Sequence, residues 1–347
     1  MRKPTKPKCH IVVVDKSTSP PEIHFAPVFN VAVAFIDRHV DEGRADRIAL
    51  KTQDGDVSYG QLAEGVARCG NALKEWGLRA GDRVLMAVYD SPMFFCVFWG
   101  AIKAGIIPIP VNTLLKSNEY RSLIEDAEVR AFLHSPALAE RVASAVAVAK
   151  RSPDMALAVS GPDSLEQRMA VAEPHLEPAP TTQDTECFWL YSSGSTGNPK
   201  GVVHVHRDMV ITSERYGQGI AGIRETDTVY CASKLFFSYG FGGGMTFPLW
   251  AGSSIVLRED MSSAELTFDV IEEHRPSVFF GVPTLYAQQV HLAETRQPDM
   301  SSIRTALSAG EGPAVPCLRT GPGAFRVLDP RRHRFDRGSA HLHLEPA

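Results

Sequence analysis

The sequence predicts an α/β protein in which short apolar strands alternate with amphipathic helices, giving mainly parallel sheets in two βαβ-type sub-domains. The pattern is clearest over Arg83 to Tyr89, Ser91 to Ala104 and Ile106 to Val111, which read as strand, helix and strand at the lengths of a right-handed crossover. The alternation then continues through a helix over Ser117 to Ala127, a strand over Arg130 to His134 and an alanine-rich helix over Pro136 to Lys150. With 347 residues, 44% of them hydrophobic and 22% charged, the chain can bury a large core.

Taken in order, the chain opens with the basic stretch MRKPTKPK. The apolar run Ile11 to Val14 is too short for a secretory core, and Pro20-Pro21 interrupts the chain beyond it, so residues 1–28 are expected to be a flexible tail. Asn30 to Arg38 has helical apolar spacing. Ile48 to Thr52, Gly55, and Val57 to Tyr59 read as strand, turn and strand. After Ser58, the residues Leu62, Val66, Cys69, Ala72, Leu73 and Trp76 recur every three or four positions, with Ser58 as cap and Gly77 as stop. Phe94, Phe95, Phe98 and Trp99 are expected in the core, because a helix laid over a parallel sheet needs such a face.

Residues 161–185 are rich in Pro, Glu, Asp and Thr and are expected to link a first sub-domain, 29–160, to a second, 186–311. In the second, Val202 to His206 reads as a strand and Arg207 to Tyr216 as a helix, with His206 near its start as a cap or orienting group and His204 as a structural residue. Asp227 to Lys234 is a strand, and Leu235 to Gly244 a turn into a helix. Ser254 to Leu257, Ala264 to His274 and Val278 to Val282 continue as strand, helix and strand. A helix begins at Pro283, and Ile303 to Ala306 leads into Ser308 to Gly312.

The chemistry concentrates in WLYSSGSTGNPKGVVHVH, Trp189 to His206. Gly194 and Gly197 let the backbone turn and approach an anion. Ser192, Ser193, Ser195 and Thr196 supply hydroxyl donors, and Lys200 a compact positive charge. A flexible Ser/Gly linker has a similar composition, but this loop is short and lies between two apolar runs. It is not a Walker A loop, which needs glycine before the lysine and a hydroxyl residue after it. Pro199 and Gly201 stand there instead. The pattern is that of a phosphate loop of another type.

YSSGSTGNPKGVVHVH resembles the signature phosphate loop of the adenylate-forming, acyl-CoA synthetase superfamily. CFWLYSSGSTG and SKLFFSYGFGGGMTFPLWAG are similar to its benzoate-CoA ligase branch. The resemblance runs from about Ala45 to Glu311. It implies the large N-terminal domain of that fold, incomplete on its C-terminal side. The implied activity is the ATP- and Mg2+-dependent activation of an aromatic acid to acyl-AMP and then, with coenzyme A, to acyl-CoA. The resemblance also assigns roles by position. Ser192, Ser193, Gly194, Ser195, Thr196, Gly197 and Lys200 would hold the phosphates. Phe236, Phe237, Ser238, Tyr239 and Gly240 match a wall of the acyl pocket, with Ser238 and Gly240 leaving room for a flat ring. Pro283 and Thr284 match a GxPT segment near nucleotide and acid, and Ser308, Ala309, Gly310 and Glu311 a turn beside adenine. The lysine that relatives use for adenylation lies in a C-terminal domain outside the matched part, so no catalytic residue is expected in this chain, and the alternative readings are a remnant without catalysis that at most binds nucleotide, or a CoA ligase for another aryl or short aliphatic acid.

Residues 312–347 contain no Lys, Ile, Met, Tyr, Trp, Asn or Gln and are expected to be an off-pattern, disordered tail. Read one frame over with codons freely chosen, they convert to the family's next motif, so a shifted reading frame after Glu311 is expected; the nucleotide sequence decides it. The net charge of -4 gives no reason to expect a nucleic-acid partner. No segment reaches membrane length. The six cysteines lack metal spacing, which points to reduced thiols in the cytoplasm. The sequence leaves the oligomeric state open.

Overall fold

The helix Tyr59–Glu75 shows how local chemistry sets an element. Ser58 Oγ accepts the Gln61 N–H at 3.2 Å while the Gln61 side chain accepts the Ser58 N–H at 2.8 Å, a reciprocal capping box. Gly77, at φ +107°, ends the helix where expected. The buried stripe of Leu62, Val66, Cys69, Ala72 and Leu73 packs on the helix Pro92–Lys103. Phe94, Phe95, Phe98 and Trp99 of that second helix are fully buried in the core, as their spacing predicted.

This computed structural model describes residues 9–192, 199–308 and 327–328. A four-stranded sheet has the order Ile107–Pro110, Arg83–Ala87, Ala131–His134, Met155–Ala158, all parallel. A seven-stranded sheet has the order Val327–Leu328, Thr305–Ser308, Val278–Gly281, Thr228–Cys231, Ser254–Val256, Ile48–Lys51, Val57–Ser58; only the last pair is antiparallel. Two antiparallel hairpins complete the described strands: Val12–Asp15 with Glu22–Phe25, and Glu186–Ser192 with Lys200–Val205. The α/β class and the mainly parallel sheets agree with the sequence.

Three expectations about organisation are corrected. Ile48–Lys51 and Val57–Ser58, assigned to the first sub-domain, pair into the seven-stranded sheet through Leu50 beside Ile255. Period and propensity identify a strand but not its sheet, so the cut at residue 160 does not follow the hydrogen bonding. Within the expected tail, residues 12–25 form a hairpin whose Val12, Val14, Ile23 and Phe25 pack on the core, Phe25 lying edge-on to Phe29 at 5.0 Å. An apolar run too short for a leader is long enough for a strand. In the expected linker, the helix Leu165–Val171 buries Leu165 and Met169, and Ala172 and Leu176 join them in the core. The strand Met155–Ala158 was not foreseen, since four residues show too little period. One hydrophobic cluster runs from Phe29 to Leu257 and joins both sheets.

Candidate functional site

The loop expected to hold phosphate is carried by the hairpin Glu186–Ser192 and Lys200–Val205. Ser192 and Lys200 are register partners, so hydroxyl and cation stand opposite one another at the mouth of the turn, both exposed. Ser193, Gly194, Ser195, Thr196 and Gly197 lie outside the described residues. Aromatic and β-branched residues favour these strands, and side chains anchor them. The Tyr191 hydroxyl donates to the Asp126 carboxylate at 2.6 Å, and the Arg83 guanidinium sits 5.2 Å from the Trp189 ring centroid. Burial, and then the Asp126 hydrogen bond, hold the Tyr191 phenol well above its ordinary pKa, so it remains a donor.

The histidines differ in role. His204 stacks on Phe188, with ring centroids 4.6 Å apart and planes 9° apart, and its Nδ1 lies 3.2 Å from Asp208. His206 opens the helix His206–Thr212, and its Nδ1 accepts the Val31 N–H at 3.1 Å. Burial, and then the neighbouring His10, lower its pKa to about 4. An imidazole held neutral to accept a backbone N–H orients the chain and does not act as a base.

The segment Ser238–Phe241 is where the parts meet. The Tyr239 hydroxyl donates to the Leu307 carbonyl at 3.0 Å, and the Tyr286 hydroxyl donates to the same oxygen at 2.8 Å. The Tyr239 ring lies edge-on to Phe280, with centroids 5.8 Å apart. Burial raises its phenol pKa, which keeps it neutral. One residue beyond Leu307, Ser308 ends its strand opposite Gly281, the residue before the turn into Pro283 and Thr284. The Ser308 hydroxyl is buried and has no hydrogen-bond partner among the described residues. Tyr239, Ser308 and the Gly281 turn therefore share the carboxyl ends of adjacent parallel strands, where open α/β sheets bind ligands. Ala309, Gly310 and Glu311 lie outside the described residues.

Ring stacking ties this segment to the phosphate hairpin. Phe188 is sandwiched between His204 and Phe241, 5.0 Å from the latter, and Phe98 meets both phenylalanines edge-on at 5.6 and 5.2 Å. Within the segment Phe237 is 49% exposed and Ser238 is exposed, so both are available to a ligand. Gly240 corrects the expectation of spare room. A Cβ there would lie 2.1 Å from the Lys234 carbonyl oxygen and 2.5 Å from that of Ser233, so the chain's own turn fills the space.

Sequence reasoning missed Phe188, the Leu307 carbonyl and the buried Asp90 and Lys234 behind the segment. Strand alternation in CFWLY could have turned Phe188 inward. A backbone acceptor leaves no mark in sequence.

The family described as AMP-binding enzyme matches residues 36–325. That extends past Glu311, where the sequence alone ended the resemblance. The chain is 40% identical over 301 residues to the benzoate–CoA ligase of Thauera aromatica, covering 86% of this chain and 57% of that protein. It is 37% identical over 290 residues to the 4-hydroxybenzoate–CoA/benzoate–CoA ligase of Rhodopseudomonas palustris, covering 82% and 53%. Among solved structures, a benzoate CoA ligase from Burkholderia xenovorans LB400 superposes with a TM-score of 0.75 at 35% identity, covering 82% of this chain and 56% of that one. The anthranilate CoA ligase AuaEII in complex with anthranoyl-AMP gives 0.78 at 31% identity, covering 83% and 55%. The chain spans little more than half the length of the curated relatives it matches.

Proposed function

This chain belongs to the AMP-binding enzyme family, and we propose that its site takes part in the ATP-dependent activation of an aromatic carboxylic acid of the benzoate type. A carboxylate is a poor acceptor for a thiol. The acid oxygen attacks the α-phosphorus of ATP, pyrophosphate leaves, and the acyl-AMP then carries a good leaving group. The thiol of coenzyme A displaces AMP to give the thioester. In-line attack on a triphosphate depends on positioning and charge neutralisation. In this reading Ser192, Ser193, Gly194, Ser195, Thr196, Gly197 and Lys200 bind the phosphates. Ser308, Ala309, Gly310 and Glu311 line the adenine side, and Phe237, Ser238, Tyr239 and Gly240 form the acid side, Gly240 by shaping the turn. No group of three His, Cys, Asp or Glu side chains among the described residues is placed to hold a metal. We assign magnesium to the nucleotide phosphates, where it supplies charge neutralisation.

The observation that carries the reading is the convergence of Tyr239, Ser308 and the Gly281 turn, tied through Phe241 to Phe188 on the hairpin that carries Ser192 and Lys200. The test is ATP–pyrophosphate exchange by the purified chain, with direct binding of ATP and benzoate. Benzoate-dependent exchange supports activation by this chain. ATP binding without exchange supports a nucleotide-binding chain that does not ligate, and no ATP binding overturns the proposal. Lys200→Ala should weaken ATP binding by about tenfold, roughly 1.4 kcal/mol, in a calorimetric titration. A second acid class, another aryl or a short aliphatic acid, would show as a change of acid preference in Ser238 or Tyr239 variants.

A further inference from the structure

Behind the Ser238–Phe241 segment lies a buried charge pair for which the phosphate and acid sites have no use. Asp90 ends the run that begins as the strand Arg83–Ala87 of the four-stranded sheet. Lys234 comes shortly after the strand Thr228–Cys231 of the seven-stranded sheet. Both are almost fully buried, 7% and 8% exposed. The Lys234 ammonium donates to three backbone carbonyls, Arg258 at 2.7 Å, Glu259 at 3.1 Å and Asp260 at 2.5 Å. That uses all three of its N–H donors. Asp90 Oδ2 therefore stands 3.7 Å from it as a counter-charge, while Oδ1 accepts the Leu235 N–H at 3.2 Å. Immediately downstream the Lys234 carbonyl accepts the Phe237 N–H at 3.0 Å and abuts Gly240.

We propose that Asp90 is a positioning residue for the acid-binding segment. By pinning Leu235 and balancing the charge of Lys234, it fixes the turn from which Phe237, Ser238 and Tyr239 are presented. The geometry supports this over a purely local role. The carboxylate comes from one sheet and the segment it holds from the other, 145 positions apart in the chain. A lysine already saturated by carbonyls also has no need of a hydrogen-bonded partner; what it lacks in this dry place is compensating charge. Burial raises the Asp90 pKa to about 6, outweighing Lys234 and the Leu235 N–H, which favour its ionisation; Glu259, which opposes ionisation, adds to the rise. Asp54 and Glu166 line the same cleft beside it, a cavity of about 560 Å³ between the sheets.

The benzoate part of this inference rests on the proposed function; the positioning of the segment does not. The experiment uses Asp90→Asn, which keeps the shape and removes the charge, and Asp90→Glu as the conservative variant, read in its own right should Asp90→Asn fold poorly. Two readouts are taken: amide hydrogen exchange over residues 235–241 without ligand, and calorimetric affinities for benzoate and ATP. Expected for Asp90→Asn are exchange at least about tenfold faster over 235–241 with strand Val278–Gly281 unchanged, benzoate binding about tenfold weaker, and ATP binding within about twofold, each tenfold step being about 1.4 kcal/mol. Asp90→Glu should recover part of the loss. Exchange over 235–241 that is unchanged in Asp90→Asn, or in Asp90→Glu should Asp90→Asn fold poorly, overturns the inference, whatever the ligands do. If the unmodified chain binds neither ATP nor benzoate, the proposed function fails, while faster exchange would still establish the positioning role.

Discussion

At Gly240 the informative atom is one that is missing. With two carbonyl oxygens inside 2.6 Å of any added methyl, Gly240→Ala must push the 233–234 turn aside. We expect a loss of about 3 kcal/mol in urea unfolding, together with weaker acid binding. Histidine titration gives a second measurement. His206 has its pKa lowered to about 4 in the fold, so its stabilising effect is complete above the unfolded value near 6.5 and declines as pH falls toward 4. Asp90, raised to about 6, acts in the opposite sense: its protonated form suits the fold better, so acidification through 6 returns some stability. The expected net result is a loss dominated by histidine, and His206→Gln should remove about 2 kcal/mol of the fall between pH 7 and 4.5. The strand Lys200–Val205 was legible at this scale because valine and histidine alternate along it. Gly240 was misread because glycine spells room without saying what fills it.

Among the elements, the helix Tyr59–Glu75 and the hairpin Glu186–Ser192/Lys200–Val205 call for different experiments. Ser58→Ala removes one cap and should cost about 1 kcal/mol in thermal unfolding while leaving ATP binding unchanged. Phe188→Ala empties the slot between His204 and Phe241 and should cost about 4 kcal/mol. It should also weaken ATP and benzoate together, since both parts lean on that ring. Long periodic elements were readable from spacing alone. Met155–Ala158 and the hairpin of residues 12–25 were not, because a four-residue strand shows its identity only through the neighbour it pairs with.

Among the described residues the largest hydrophobic cluster is shared by two sheets, and the division of the chain into successive lobes misjudged it for a physical reason. Apolar patterning reports that a face is buried but not against what, so Ile48–Lys51 carried no sign of its distant partner. No helix among the described residues is long and apolar enough to cross a membrane. The pairing of Ile48–Lys51 with Ser254–Val256 bears on biosynthesis. The Ser254 hydroxyl donates to the Ile48 carbonyl across 206 positions, an interval that a ribosome making roughly 5 to 20 residues per second takes about 10 to 40 s to translate. During that wait the nascent chain offers Ala49 and Leu50 to any passing chaperone or protease. Arrest of translation before Ser254 should leave the 48–58 hairpin open to cleavage, and arrest well beyond it should not.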